Sequence, residues 1–170
     1  MTLVSTDWLN KNLKSVKIID ASWHLVKNRN AIKEYKEEHI ENAIFFDLDK
    51  NSNQVKDLPH GHFLPSASNY EKTISEMGIL NTDRIVIYCY SDLISSCRAW
   101  FQFLYFGHDP KLVSVLNGGM KKWKLEGRKV TNLETKIIPS KYIAKENKNM
   151  IKLKSQIDEN IKKKEFTVLD

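Results

Sequence analysis

Residues 85–95, Ile85-Val86-Ile87-Tyr88-Cys89-Tyr90-Ser91-Asp92-Leu93-Ile94-Ser95, decide the class of fold. The apolar run at the start reads as a strand covered on both faces, because a half-exposed strand would alternate apolar and polar positions. A short polar loop follows. The chain then carries Trp100, Phe101, Phe103 and Leu104 in a helical pattern from about Ser95 to Phe106, stopped by Gly107. A buried strand that runs through a loop into a helix is the repeating unit of an α/β domain with a mainly parallel sheet.

Working outward, similar short apolar runs predict strands at Val16 to Asp20, Ala43 to Phe46, Arg84 to Cys89 and Leu112 to Leu116. Ser68-Asn69-Tyr70-Glu71 has the form of a capping box, Tyr70, Ile74 and Met77 recur at helical spacing, and Gly78 supplies the left-handed stop. A further helix is expected over Met120 to Glu126, after the turn Asn117-Gly118-Gly119 and before Gly127. The N-terminal pattern Trp8, Leu9 and Leu13 is helical and leads into the Val16 strand.

Beyond Gly127 the periodicity fades into an extended, polar, lysine-rich connector. A new helical pattern, Ile151, Ile157 and Ile161, then precedes the strand-like Phe166-Thr167-Val168-Leu169-Asp170. This repeats the opening of the chain, where a helical pattern leads into Val16-Lys17-Ile18-Ile19-Asp20 about 150 residues earlier. The expected organisation is a domain over 1–130, a linker over 131–149 and the truncated start of a second, similar domain over 150–170. The alternative is that the last helix and strand complete the first domain.

Composition narrows the function classes. A hydrophobic fraction of 41% with 28% charged residues is that of a folding globular chain. The net charge of +6 comes mostly from lysine, since only Arg29, Arg84, Arg98 and Arg128 among the 27 basic residues are arginine. Arginine is the usual reader of phosphate and guanine, and these lysines are interleaved with glutamate, so no nucleic-acid partner is expected. No run is long and apolar enough for a membrane span and no secretory signal is recognisable, so no membrane partner and a cytoplasmic location are expected. Cys89 and Cys97, eight residues apart, form no Cys-x-x-Cys pair, and no metal or cofactor is implied.

The end of the Ile85 strand is where a parallel sheet binds ligands, and the following helix offers free amides and the positive end of its dipole. A cysteine there is placed to act as a thiolate. A cysteine phosphatase needs an arginine six positions after its cysteine; that position is Ser95, and the nearest arginine is Arg98, so that chemistry fails. Sulfur transfer, in which a cysteine takes a sulfane sulfur as a persulfide, remains.

The runs Arg98-Ala99-Trp100, Phe106-Gly107-His108, Val113-Ser114-Val115-Leu116-Asn117-Gly118-Gly119 and Trp123 resemble a rhodanese domain. Together with Leu3-Val4-Ser5-Thr6, Asp20-Ala21-Ser22-Trp23, His39-Ile40, Phe45-Phe46-Asp47-Leu48-Asp49 and His62-Phe63-Leu64-Pro65, the chain resembles the N-terminal half of the tandem 3-mercaptopyruvate and thiosulfate sulfurtransferases over residues 3–127. The resemblance implies a rhodanese-like α/β fold. It implies a small-molecule sulfur donor, a thiol or cyanide acceptor, and a second rhodanese domain in cis that carries the persulfide-forming cysteine. It also implies supporting roles at the interdomain site for Asp49 and for His62, with His60 as the equivalent if the loop is shifted.

Cys89 stands where active domains of that family carry their nucleophile and the silent domain usually carries Asp. The residues argue against an active Cys89: residues 89–95 contain no glycine to let amides converge and no arginine, and Asp92 would repel an anionic donor and raise the thiol pKa. Three readings therefore stand: the silent half of a tandem sulfurtransferase, a single-domain rhodanese using Cys89, or a non-catalytic module that binds a protein partner. His24 and His108 are expected to be structural, and Asp20 to cap the turn that follows it.

Overall fold

A computed structural model describes residues 2–52, 63–91 and 94–169. In chain order the elements are β1 (Thr2–Val4), α1 (Thr6–Asn12), β2 (Lys17–Asp20), α2 (Ala31–Glu37), β3 (Ala43–Phe45), α3 (Ala67–Glu76), β4 (Ile85–Tyr88), α4 (Ser95–Tyr105), β5 (Val113–Leu116), α5 (Gly119–Leu125) and α6 (Lys154–Lys163). The five strands form one sheet in the order β1-β5-β4-β2-β3, and every pair is parallel. The expected α/β class and its four expected strands are present.

Burial on both faces explains the apolar strands. Along β4, Ile85 and Ile87 enter a core with Tyr70 and Ile74 of α3 and Phe103 of α4. Val86 and Tyr88 point the other way, into a core with Leu9 of α1 and Trp123 of α5. All four residues of β4 are fully buried, and the one polar group among their side chains, the Tyr88 hydroxyl, accepts from the Ile40 amide at 3.3 Å.

Some boundaries differ from the sequence reading. The cap of α3 is Ser66, whose hydroxyl accepts from the Asn69 amide at 3.3 Å. Ser68 instead shares a hydrogen bond with the Ser66 hydroxyl, and Glu71 accepts from the Ala144 amide at 3.0 Å, so the apparent capping box is not one. Strand β1 has only three residues, and helix α2 has seven with none buried, so neither stands out by periodicity. Residues 166–169, read as strand-like, lie outside any strand: the Phe166 backbone closes a local loop with the Asn160 side chain, which donates to the Phe166 carbonyl and accepts from its amide.

The segment after Gly127 is extended, as its composition suggests, and lies along the domain. His39 and Thr131 exchange backbone hydrogen bonds, Thr135 donates to the Ala43 carbonyl, and Ser140 donates to the Ile79 carbonyl. Tyr142 is buried against Tyr70 and His108. Gly78, at φ +68°, is needed twice over, because a Cβ there would sit 2.4 Å from the Ile138 carbonyl oxygen.

Candidate active site

Strand order sets where a site can form. From β2 the chain crosses to β3 on one side, and from β4 it crosses to β5 on the other, so the two loops diverge at the carboxyl ends of β2 and β4. That divergence opens a crevice in a parallel sheet.

Asp20, the last residue of β2, is buried and ties the two loops together. Its carboxylate accepts from the Ser22 amide at 2.9 Å and from the Ser22 hydroxyl, which in turn accepts from the Tyr90 amide at 2.8 Å. Ser95, at the start of α4, donates to the Ala21 carbonyl at 2.7 Å. Burial pushes the Asp20 carboxyl above its ordinary value, against the opposing hydrogen bonds from Ser22. Asp20 thus holds the turn after β2, as its position suggested.

Asp49 lies on the β3 side. Its carboxylate accepts from the Trp23 indole at 3.0 Å, and its amide donates to the Asp47 side chain at 3.1 Å. Trp23, Asp47 and Asp49 line an open hollow of about 230 Å³, shared with Ser22, His24 and Arg29. His62, and with it His60 and Asp92, lies outside the described residues.

Arg29 is the site residue that local reading misses. Its guanidinium makes two hydrogen bonds to Glu34, at 2.7 and 2.9 Å, and one to the Tyr90 carbonyl at 2.9 Å. It brings a cation to a loop whose own residues supply none. Hydrogen bonding from Arg29 holds the Glu34 carboxyl below its ordinary value, with His24, 3.0 Å from the same carboxylate, adding to the effect. The one available signal was compositional: arginine is rare in this lysine-rich chain, and lysine could not make this forked contact. His24 therefore braces the rim through Glu34. His108 is structural, buried with its ring between the Asp83 carbonyl and the Tyr142 hydroxyl.

Cys89 sits past the end of β4, half-buried rather than in the core. Its thiol lies 3.4 Å from the Ser96 hydroxyl, and its carbonyl accepts from the Met120 amide at 3.1 Å. It lines a second cavity, of about 600 Å³, between the β4 and β5 loops. Cys97, in the first turn of α4, lines the same cavity. Among the described residues no cluster of three or more His, Cys, Asp or Glu could hold a metal ion, and no helix is long and apolar enough to cross a membrane.

Comparison with known proteins agrees with this geometry. The rhodanese-like domain family matches residues 5–126. Thiosulfate sulfurtransferase from Rattus norvegicus is 35% identical over 176 residues, which cover 99% of this chain and 58% of the relative. 3-Mercaptopyruvate sulfurtransferase from the same organism is 35% identical over 177 residues with the same coverage. The crystal structure of SseA from Escherichia coli, a 3-mercaptopyruvate sulfotransferase, superposes with a TM-score of 0.86 at 26% identity, covering 94% of this chain and 62% of SseA. The chain thus spans little more than half the length of these curated relatives.

Proposed function

The chain belongs to the rhodanese family, and from that premise we propose that it is the N-terminal, non-catalytic domain of a cytoplasmic tandem sulfurtransferase. The domain spans residues 1–130, residues 131–149 connect it, and residues from 150 open a second rhodanese-like domain. The observation that carries the reading is the pattern of coverage: 99% of this chain aligns with only 58% of a thiosulfate sulfurtransferase. That is the expected footprint of a first half together with the opening of a second.

In the whole protein, a thiolate of the second domain attacks the outer sulfur of thiosulfate, releasing sulfite, or the sulfur of 3-mercaptopyruvate, releasing pyruvate after protonation. The resulting persulfide passes its outer sulfur to a thiol or to cyanide, and the cysteine thiolate is regenerated. This domain supplies the opposite wall. Asp49, fixed by the Trp23 indole, presents a carboxylate in an open hollow, and His62 is the group it would orient for proton handling near neutral pH.

The test is an assay of thiosulfate-to-cyanide and 3-mercaptopyruvate sulfur transfer. The 170-residue chain should be inactive, and the protein extended by its downstream coding sequence should turn over. Asp49→Asn in the extended protein should lower kcat/KM by roughly 10²-fold with the fold intact. Turnover by the chain alone that disappears in Cys89→Ser would overturn the reading in favour of a single-domain rhodanese.

A further inference from the structure

Residues 128–150 follow the last helix of the domain as a strap, and its first part is tied to the β3 edge through Thr131 and Thr135. The second part crosses the face formed by α3 and α4. Among these described residues Tyr142 is the one buried side chain, at 1% exposure, while Ile137, Ile138 and Ile143 stay exposed. Asn81 pairs with both backbone groups of Ile143 at 2.9 Å, but that contact is exposed and water can replace it. The seating of the second part therefore rests largely on one phenol.

The Tyr142 hydroxyl meets Nδ1 of His108 at 3.3 Å, with the two rings parallel within 9°. The other side of the imidazole fixes its tautomer. Nε2 faces the Asp83 carbonyl at 2.9 Å, and a carbonyl only accepts, so Nε2 carries the hydrogen and Nδ1 accepts from Tyr142. Burial pushes the Tyr142 hydroxyl above its ordinary value, so it keeps its proton and donates. A second proton on the ring goes to Nδ1 and sets donor against donor. If the phenol turned to accept, its own hydrogen would lose its partner, since the Tyr70 hydroxyl in the same core makes no hydrogen bond to it.

The charges around the ring are few. Burial, the larger effect, pushes the His108 pKa below its ordinary 6.5, against Asp83 and Asp109, which favour the imidazolium. Lys145 and Glu146 of the strap, one of each sign, share with His108 the lining of a cavity of about 380 Å³, through which a proton can arrive.

We propose that Tyr142 and His108 are a proton-released latch: the strap over residues 138–147 is held while Nδ1 of His108 accepts, and comes away from α3 and α4 when that nitrogen is protonated. The strands and the Thr131 fastening stay in place. With the strap open, the ring is in water and takes up its proton at the ordinary value; with the strap closed, it does so only at lower pH. The holding contribution is thus fully present above 6.5 and is lost as pH falls through the folded value, the closed-to-open ratio dropping about tenfold per pH unit in between. In the tandem reading this strap joins the two domains, so release slackens their joint, but the latch itself does not rest on that reading.

The experiment is an NMR titration of the full chain from about pH 8 to about pH 4, following the His108 ring and the backbone amides. Amides of residues 140–145 should shift with the midpoint of His108, below 6.5, while those of Ile87 in β4 and Val115 in β5 hold still. Tyr142→Phe removes the donor that favours the neutral ring and should move both midpoints up. His108→Gln keeps an amide donor for the Asp83 carbonyl and an oxygen acceptor for Tyr142 but has no ring to protonate, so its strap should stay seated across the range. Strap amides that do not follow His108, strand amides that move with them, unchanged midpoints in Tyr142→Phe, or a strap transition that persists in His108→Gln overturns the proposal. Should His108→Gln fail to fold, the Tyr142→Phe midpoint decides by itself. Sulfur transfer enters none of these readings, so failure here leaves the tandem proposal as it stands.

Discussion

The two hollows at the carboxyl end of the sheet share one residue, Arg29, and almost nothing else. The hollow on the β3 side is small and polar, with Asp47 and Asp49 facing Trp23 and His24. The cavity on the β5 side is larger and more apolar, with two thiols and two cations in its lining. The backbone beneath them is the same kind of parallel strand. What differs is the loop that each strand feeds, and that difference teaches that a sheet's crevice sets only where chemistry can occur. Asp20 and Arg29 stand between the two regions, so substitutions near them test whether the two spaces are separable.

The largest effect is expected at Gly119. Its φ is +54°, and a Cβ would press on the backbone of Cys89 at 2.5 Å, where no flexible side chain can give way. Gly119→Ala should cost about 2–3 kcal/mol by denaturant unfolding, combining left-handed strain with the clash. It should distort the thiol cavity while leaving the Asp49 hollow as it is. An unchanged denaturation midpoint would show that the β5 loop is free to move and that the cavity is not a fixed feature.

A smaller effect is expected from the shared wall. Arg29→Lys keeps the charge and loses the forked contact that joins Glu34 to the Tyr90 carbonyl. The guanidinium is partly exposed, with 26% of its side chain accessible. The cost should therefore be about 1 kcal/mol, below that of a buried charged hydrogen bond. Glu34 should titrate closer to its ordinary value in the variant, read by NMR titration of its carboxyl. Because the normal folded pKa of Glu34 is lowered, its stabilising contribution is present above the unfolded value of 4.5 and is lost as pH falls through the folded value. The variant should lose part of that acid-side dependence. A Glu34 titration that does not move would mean that His24, not Arg29, governs this carboxylate.

How far the sequence reveals all this follows from the range of each interaction. Strand β4 was legible because its neighbours on both faces are apolar, so its own residues had to be apolar too. The stops at Gly78 and Gly107 were legible because positive φ favours one residue type. Helix α2 was not, since none of its residues is buried and so no apolar stripe marks it. The cap of α3 was misplaced by two residues because Ser66 and Ser68 are chemically equivalent and only the backbone decides between them. At the site, the motif names Asp49 as a candidate, but its Trp23 partner is 26 residues away and Arg29 is 61 residues from Tyr90. Contacts of that separation leave no local periodicity to read. The absence of arginine from the Cys89 loop was a correct local reading that tertiary structure supplements with Arg29.

The smallest and most specific effect concerns Asp20, whose charge sits between the two regions. Its folded pKa lies above the unfolded value of 3.8, chiefly from burial, with Ser22, Tyr88 and His39 opposing the shift. Between those two values the folded chain retains a proton that the unfolded chain has released. Stability from this group is therefore fully present below pH 3.8 and is lost as pH rises through the folded pKa, the reverse of the Glu34 case. Asp20→Asn keeps an oxygen to accept from the Ser22 amide and hydroxyl, and it has no charge to desolvate. The difference in unfolding free energy between variant and wild type should move in the variant's favour as pH rises from about 4, and then level off once Asp20 is ionised in both states of the wild type. Glu34 is unchanged in both proteins, so its opposite slope cancels from the difference. A flat difference curve would mean that Ser22 fully offsets the burial of Asp20, and the tie between the β2 and β4 loops would then be neutral in its electrostatics.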